Sequence, residues 1–334
     1  MDNRITKKRL SHFLSYEWIA IVAVIIVCVV LVEFFYSVAG VKLTTGQHFK
    51  VFYDQNIDYN NSDRLLNHLK DKNTFSFGVY QADSEEGKKE FNVIGYRVTT
   101  SEGDIIITDD FLSTAEGASK YVRAKTLIDD ISVYILDELL LDAKEYLKSF
   151  LTDENGDIYN TQDYSLEKIE SNFRKRVKGD NFYRSEKAIV EGAKKEKQRI
   201  FRLIDEIKDF EVVLSLPSDY FFSYTKYEQA YNLTEGEENA ALKENLKGGF
   251  EAQSAQNLQK YGTTTARYGL RLDKLTSSVQ GKLNNTEFFK MYDQSKADHT
   301  VALALNFKAA QPDLQYEEIF FLNQLVRSFS DILD

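Results

Sequence analysis

The chain predicts an α/β (or α+β) domain tethered behind a single N-terminal transmembrane helix. Three observations carry that expectation. Trp18–Val32 is an unbroken apolar run of fifteen residues. In the hundred residues after residue 47, short alternating or apolar stretches interleave with helical periodicities. From 151 to 264 the periodicity is almost wholly helical, and a strand-like and a helix-like segment then close the chain.

The apolar run is preceded by Arg4, Lys7, Lys8 and Arg9 and ended by Glu33, after which Phe34, Phe35 and Tyr36 extend it. A bilayer core needs about 20 mostly apolar helical residues. Residues 16–37 meet that length when Glu33 sits near the far interface, with Trp18 and Tyr36 in the two headgroup layers. The basic flank keeps the tail, 1–15, in the cytoplasm and puts everything beyond the anchor outside the cell. Membrane lipid around 16–37 is thus the first expected partner. A cleaved signal fits poorly, because Glu33, Phe34, Phe35 and Tyr36 crowd the Ser37-Val38-Ala39 site. Lipidation at Cys28 lacks the small preceding residue, since Val27 stands there. The connector, 38–47, spans at most roughly 30 Å, which holds the domain 48–334 near the bilayer.

Composition excludes several classes. The net charge is −10, and the basic residues form no dense run beyond the N-terminus. Nucleic acid is not an expected partner, because phosphate neutralisation needs concentrated Lys and Arg. Cys28 is the only cysteine, so the outer domain can form neither a disulfide nor a thiolate metal site. Only Pro217 and Pro312 interrupt the chain, which leaves room for long helices.

In order, His48–Tyr53 alternates as a strand and ends at Asp54. Ser62 caps a helix through Lys72 with Leu65, Leu66 and Leu69 on one face. Phe75–Tyr80 is the next strand, 84–89 a charged loop and Phe91–Thr99 a further strand. Asp104–Thr108 contains three isoleucines and suits a strand buried on both faces. Ser113 and Glu116 form a capping box. Leu127–Leu136 is apolar, and Asp137 is placed to cap a helix with Leu140, Ala143, Leu147 and Leu151 inward. Ser165–Lys178 carries an Ile169, Phe173, Val177 stripe. Ser185–Leu214 is the longest helix, stopped by Pro217. Thr234 and Glu237 box a helix to about Tyr261, broken or ended near Gly248-Gly249. Tyr268–Leu272 and Thr300–Phe307 read as strands. Gln315–Leu333 is an amphipathic helix with Ile319, Leu322, Leu325, Val326 and Phe329 inward. The expected division is an α/β lobe from 48–150 and 265–334, with 151–264 as a helical insertion or second lobe.

Four segments carry a resemblance to a family. They are KVFYD at 50–54, SEGDIIITDD at 101–110, VYILDELLLDAKEYL at 133–147, and TVALALNFKAA with EEIFFLNQLVRSF at the end. Together they resemble the extracellular solute-binding proteins of bacterial ABC importers, with the periplasmic-binding-protein fold. The membrane-anchored forms of low-GC Gram-positive bacteria are the nearest in layout. The resemblance implies a non-enzymatic binder, a polar small-molecule or oligosaccharide ligand, and an ABC importer permease as partner. This chain departs from the pattern in its uncleaved span, its single Trp and its helical, charged middle.

Candidate chemistry is sparse. Open α/β sheets bind ligands at the carboxyl ends of their strands. Asp54, Asp109 and Asp110 stand at such ends and offer carboxylates to a hydroxyl or amine; the same residues serve equally as turns and caps. Tyr53 and Tyr80 would stack on a ligand ring or sit in the core. Asp153, Asn155 and Asp157 alternate as in a calcium loop, but Ile158 and Tyr164 replace its glycine and its bidentate Glu. His12, His48, His68 and His299 are not spaced for zinc. No nucleophile elbow, phosphate loop or zinc-protease motif occurs. No catalytic residue, metal or cofactor is therefore expected.

Overall fold

The computed structural model describes residues 7–8, 11, 15, 18–39, 48–53, 61–71, 81–86, 103–109, 133–223, 240–289, 300–305 and 316–334. It divides into two compact units, Met1–Lys42 and Leu43–Asp334.

The first unit contains α1 (Trp18–Ala39), a helix of 22 residues. Its backbone rises about 33 Å at 1.5 Å per residue. Trp18, Ile19, Ile25, Val29, Phe34 and Phe35 are all exposed. Glu33 does not interrupt the helix. Among the described residues no helix is long and apolar enough to cross a membrane. Within α1 the unbroken run of described side chains, 21–35, rises only about 22 Å.

The second unit is built on a six-stranded sheet in the order β2-β1-β3-β6-β5-β4. The strands are β1 (His48–Tyr53), β2 (Gln81–Glu86), β3 (Ile105–Asp109), β4 (Phe221–Ser223), β5 (Arg267–Arg271) and β6 (Thr300–Ala304). β1 pairs in parallel with both β2 and β3. β6, β5 and β4 then follow in antiparallel pairs. Mixed helix and sheet, with two parallel and three antiparallel strand pairs, is the α/β or α+β class expected from the sequence. Ile105, Ile106 and Ile107 are all fully buried, as a strand covered on both faces requires. All five residues of β6 are buried too, because it lies inside the sheet between β3 and β5. At Gly269 in β5, a Cβ would stand 2.5 Å from both Leu303 and Val301 side chains, so glycine is what lets β5 lie so close.

Seven further helices are described: α2 (Ser62–Asp71), α3 (Leu136–Lys148), α4 (Leu166–Arg176), α5 (Glu186–Leu214), α6 (Ala240–Tyr261), α7 (Asn285–Phe288) and α8 (Glu317–Phe329). One core joins the sheet residues Phe49, Val51, Ile105 and Ala302 to Leu65 and Leu69 of α2, Leu139 and Leu147 of α3, Ile169 of α4, Ile200 and Ile207 of α5, and Phe321 and Leu325 of α8. The rings of Phe49 and Phe321 are 5.4 Å apart. Each such large apolar side chain contributes about 1.5–3 kcal/mol on full burial. Of the stretch 151–264, expected as an insertion or second lobe, α4 and α5 thus share a core with the strands.

Several expectations are met by specific bonds. The Ser165 side chain accepts from Lys168 N at the start of α4, and Ser185 accepts from Ala188 N at the start of α5. Others are corrected. Part of the expected charged loop, 84–89, belongs instead to the strand Gln81–Glu86; at the edge of the sheet among the described residues, it needs no apolar face. Asp137 does not cap α3, because Ile135 holds the cap position and Asp137 is buried against Arg267, Nε to Oδ2 3.0 Å. α6 runs unbroken through Gly248 and Gly249. α8 is not half-solvated: eleven of its thirteen residues are buried, which makes it a core helix. The expected elements at 75–80, 91–99, 113–116, 127–132 and 234–239 lie outside the described residues.

Candidate functional site

β1 and β3 are neighbours, yet β2, which comes between them in sequence, lies on the far side of β1. The chain leaves β1 toward α2 and β2. After β3 the next described residue, Val133, bridges Leu305 on the opposite side. In the strand order the successor of β1 lies on one side and the successor of β3, β4, on the other, which makes a topological switch point between β1 and β3. Open α/β sheets leave a crevice at such a point, beyond the carboxyl ends of the strands.

The sequence-derived candidates fall at this edge with different surroundings. Tyr53 pairs with Ile107 across the parallel ladder, and Asp109 ends β3 opposite Thr300 of β6. Tyr53 is 1% exposed, so its ring occupies the core position that was one of its two readings. Asp54 and Asp110 directly follow these strand ends but lie outside the described residues, as does Tyr80. The antiparallel half adds charge to the same edge. β5 ends there at Arg271, whose guanidinium pairs with Asp273, Nη2 to Oδ2 3.0 Å. Lys274 pairs with Asp219 at 3.4 Å, just before β4. Asn285, at the start of α7, fixes this corner by donating to the carbonyls of Leu272, Asp273 and Leu275. The edge presents charged groups of both signs, suited to hydrogen-bonding a polar ligand.

A second polar cluster, which sequence reasoning missed, lies inside the opposite end of the sheet. Asp104 directly precedes β3, and its carboxylate accepts from Lys50 N at 2.7 Å. Its own backbone donates to Lys50 O and accepts from Leu305 N, both at 2.9 Å. Glu317 and Glu318 open α8 after Tyr316, whose φ of 69 is left-handed. All three carboxyls are buried. Burial pushes Asp104 up to about 7, with Glu317 adding repulsion against the Lys50 hydrogen bond. Burial and the Asp104 charge push Glu318 well above the usual carboxylate range. Glu317 lies 4.0 Å from Arg199, a fully buried guanidinium on α5.

Arg199 continues the network, donating to Glu196 Oε2 at 3.0 Å and to the Tyr146 hydroxyl at 2.8 Å. Arg176, from the end of α4, donates to the same Glu196 at 2.9 Å. Burial alone would raise Glu196, but Arg199 and Arg176 outweigh it and hold the carboxyl below its ordinary value. A signal for this cluster exists in the sequence. Glu196 falls between Ala193 and Ile200, at a spacing of three and four on the apolar stripe of α5, where an unpaired charge is not tolerated. The network is enclosed, so it holds α3, α4, α5 and α8 together rather than meeting a ligand.

Among the described residues, no group of three or more His, Cys, Asp or Glu side chains is placed to hold a metal ion. In the calcium-like loop the carboxylates are turned inward on the backbone: Asp153 accepts from Asn155 N, Asp157 from Tyr159 N, and Asp163 from Asp157 N.

Fold and edge together define a mixed-sheet α/β or α+β domain with a polar switch-point edge. Comparison with protein-family models, curated proteins and solved structures finds no match to this chain.

Proposed function

We propose that this chain is a membrane-tethered, non-enzymatic binding module whose folded unit, 43–334, lies on the extracytoplasmic side. Its ligand is a polar small molecule or oligosaccharide, and its working context is ABC-type uptake. The observation that carries the reading is the β1–β3 switch point, with Asp109 at its rim and Asp54 and Asp110 next in sequence. The tether reading is supported by the apolar, exposed face of α1 and the basic residues before it. Thermal unfolding of segment 43–334 with amino acids, peptides and oligosaccharides tests the binder. A true ligand at a hundred times its Kd should stabilise by about 2.7 kcal/mol. That gain should shrink in Asp109→Asn, with the ligand-free midpoint unchanged. If every class leaves the midpoint where it was, the binder is abandoned. Protease added to intact cells tests the topology, and full protection of the folded unit would overturn it.

A second reading has its own support. The main core runs from the strands through α2, α3, α4, α5 and α8, which supports a single layered unit over two facing lobes. An envelope interaction module using the same edge against a protein surface fits that single core. Saturable binding of a small ligand separates the two.

A further inference from the structure

The turn joining α4 to α5 carries the opposite charge from the chain as a whole. Residues 174–187 hold six basic side chains (Arg174, Lys175, Arg176, Lys178, Arg184, Lys187) and two acidic ones (Asp180, Glu186), in a protein of net charge −10. Arg176 is buried on Glu196, and Arg174 spans Glu170 at 2.9 Å and Glu186 at 2.6 Å. Those pairs occupy the Glu170, Glu186 and Glu196 carboxylates. Asp180 caps the following turn, accepting from Phe182 N at 2.7 Å. Lys175, Lys178, Arg184 and Lys187 are exposed.

An aromatic ring stands among them. Phe182 is 39% exposed, in a short turn, Asn181–Tyr183, that is firmly seated. Tyr183 packs edge-on against Phe173 at 5.1 Å. Both rings press on Gly192 of α5, where a Cβ would lie 2.5 Å from each. The turn is thus pinned by Tyr183, while its neighbour Phe182 is exposed and stands within seven residues in sequence of the exposed Lys175, Lys178 and Lys187. An exposed aromatic side chain on a lysine-bearing turn matches the chemistry of a bilayer interface. Rings partition among headgroups, and each nearby cation strengthens binding to an anionic surface about fivefold.

We propose that the α4–α5 tip docks on an anionic membrane surface, with Phe182 entering the headgroup layer and Lys175, Lys178 and Lys187 meeting lipid phosphates. It rests on the tethered reading for its proximity to a bilayer, and not for its chemistry.

The single cysteine makes the test direct. In a Cys28→Ser background, Phe182→Cys carries an environment-sensitive fluorophore on the full chain. The chain is reconstituted in vesicles of phosphatidylcholine, with or without phosphatidylglycerol. Emission should brighten and shift to the blue only with phosphatidylglycerol, and should revert at high salt. The triple variant Lys175→Gln, Lys178→Gln, Lys187→Gln should lose the shift. In segment 43–334 with Phe182 intact, the same variant should bind anionic vesicles about a hundredfold more weakly. Its thermal midpoint should match the parent, which separates lost docking from lost folding. Equal emission in both lipids, or a shift that survives the triple variant, overturns the proposal. So does equal binding to soluble polyphosphate with no preference for vesicles. If the full chain washes off phosphatidylcholine vesicles while 43–334 still binds the anionic ones, the tether fails and the docking surface stands.

Discussion

At the scale of single residues, the second unit depends most on a few positions before β3 and on α5. Gly103 has φ 113, and a Cβ there would lie 2.0 Å from the Phe52 ring. Gly103→Ala should therefore cost at least about 2 kcal/mol, read as a lower urea midpoint, because both strain and overpacking act. Asp104, the next residue, should make stability depend on pH. Its folded-state value is raised to about 7, so between about pH 4 and 7 the native state holds a proton that the unfolded state has released. Its contribution is full below its ordinary value and is lost as pH rises through 7, with a total of the order of 4 kcal/mol. In Asp104→Asn the amide oxygen still accepts from Lys50 N, and this slope should shrink in unfolding free energies measured between pH 4 and 8, leaving the part that the buried Glu318 carboxyl supplies. Glu196→Ala would leave Arg199 and Arg176 buried without their shared carboxylate. A loss of about 3–5 kcal/mol in chemical denaturation is expected. Glu196 is marked by its place on the apolar stripe of α5, but the roles of Gly103 and Asp104 are not visible in a local reading. SEGD at 101–104 looks like any turn, and only the fold brings Lys50, Glu317 and Glu318 around its last residue.

At the scale of elements, local signals succeeded where the chain makes its own bonds. The starts of α4 and α5 at Ser165 and Ser185 are legible because each serine oxygen and the N–H that donates to it lie three residues apart. The stripe of Ile169, Phe173 and Val177 is legible for the same reason. Signals failed where a distant partner decides. Asp137 has the look of a cap, but Arg267, 130 residues away, recruits it. Gln81–Glu86 has no strand pattern and becomes a strand by pairing with β1 along six residues. Gly248 and Gly249 have the look of a break, yet α6 continues through them. At Gly248 a Cβ would meet nothing within 4 Å. Gly248→Ala should accordingly stabilise by about 0.5–1 kcal/mol, measured by thermal or urea unfolding, since the helix keeps its geometry and the unfolded chain loses freedom.

At the scale of the whole molecule, the α/β opening and the closing strand–helix pair were readable, as was their membership of one α/β layer. Their order in the sheet was not, because register and neighbour choice are long-range. The candidate edge was half legible: strand-end aspartates mark where β1 and β3 stop, but that these ends adjoin across a switch point is a property of the sheet. The position of β6 has one more consequence, and it concerns the order of synthesis. β6 and α8 belong to the last 35 residues, yet β6 joins β3 on one side to β5 on the other. Until they emerge, β2-β1-β3 and β5-β4 are two separate ribbons with an uncovered face. A chain ending at residue 299 should be degraded or aggregate rather than fold, as a solubility assay of that truncation would show. The sheet of the second unit is therefore complete only once β6, the last of its described strands in sequence, has joined β3 to β5.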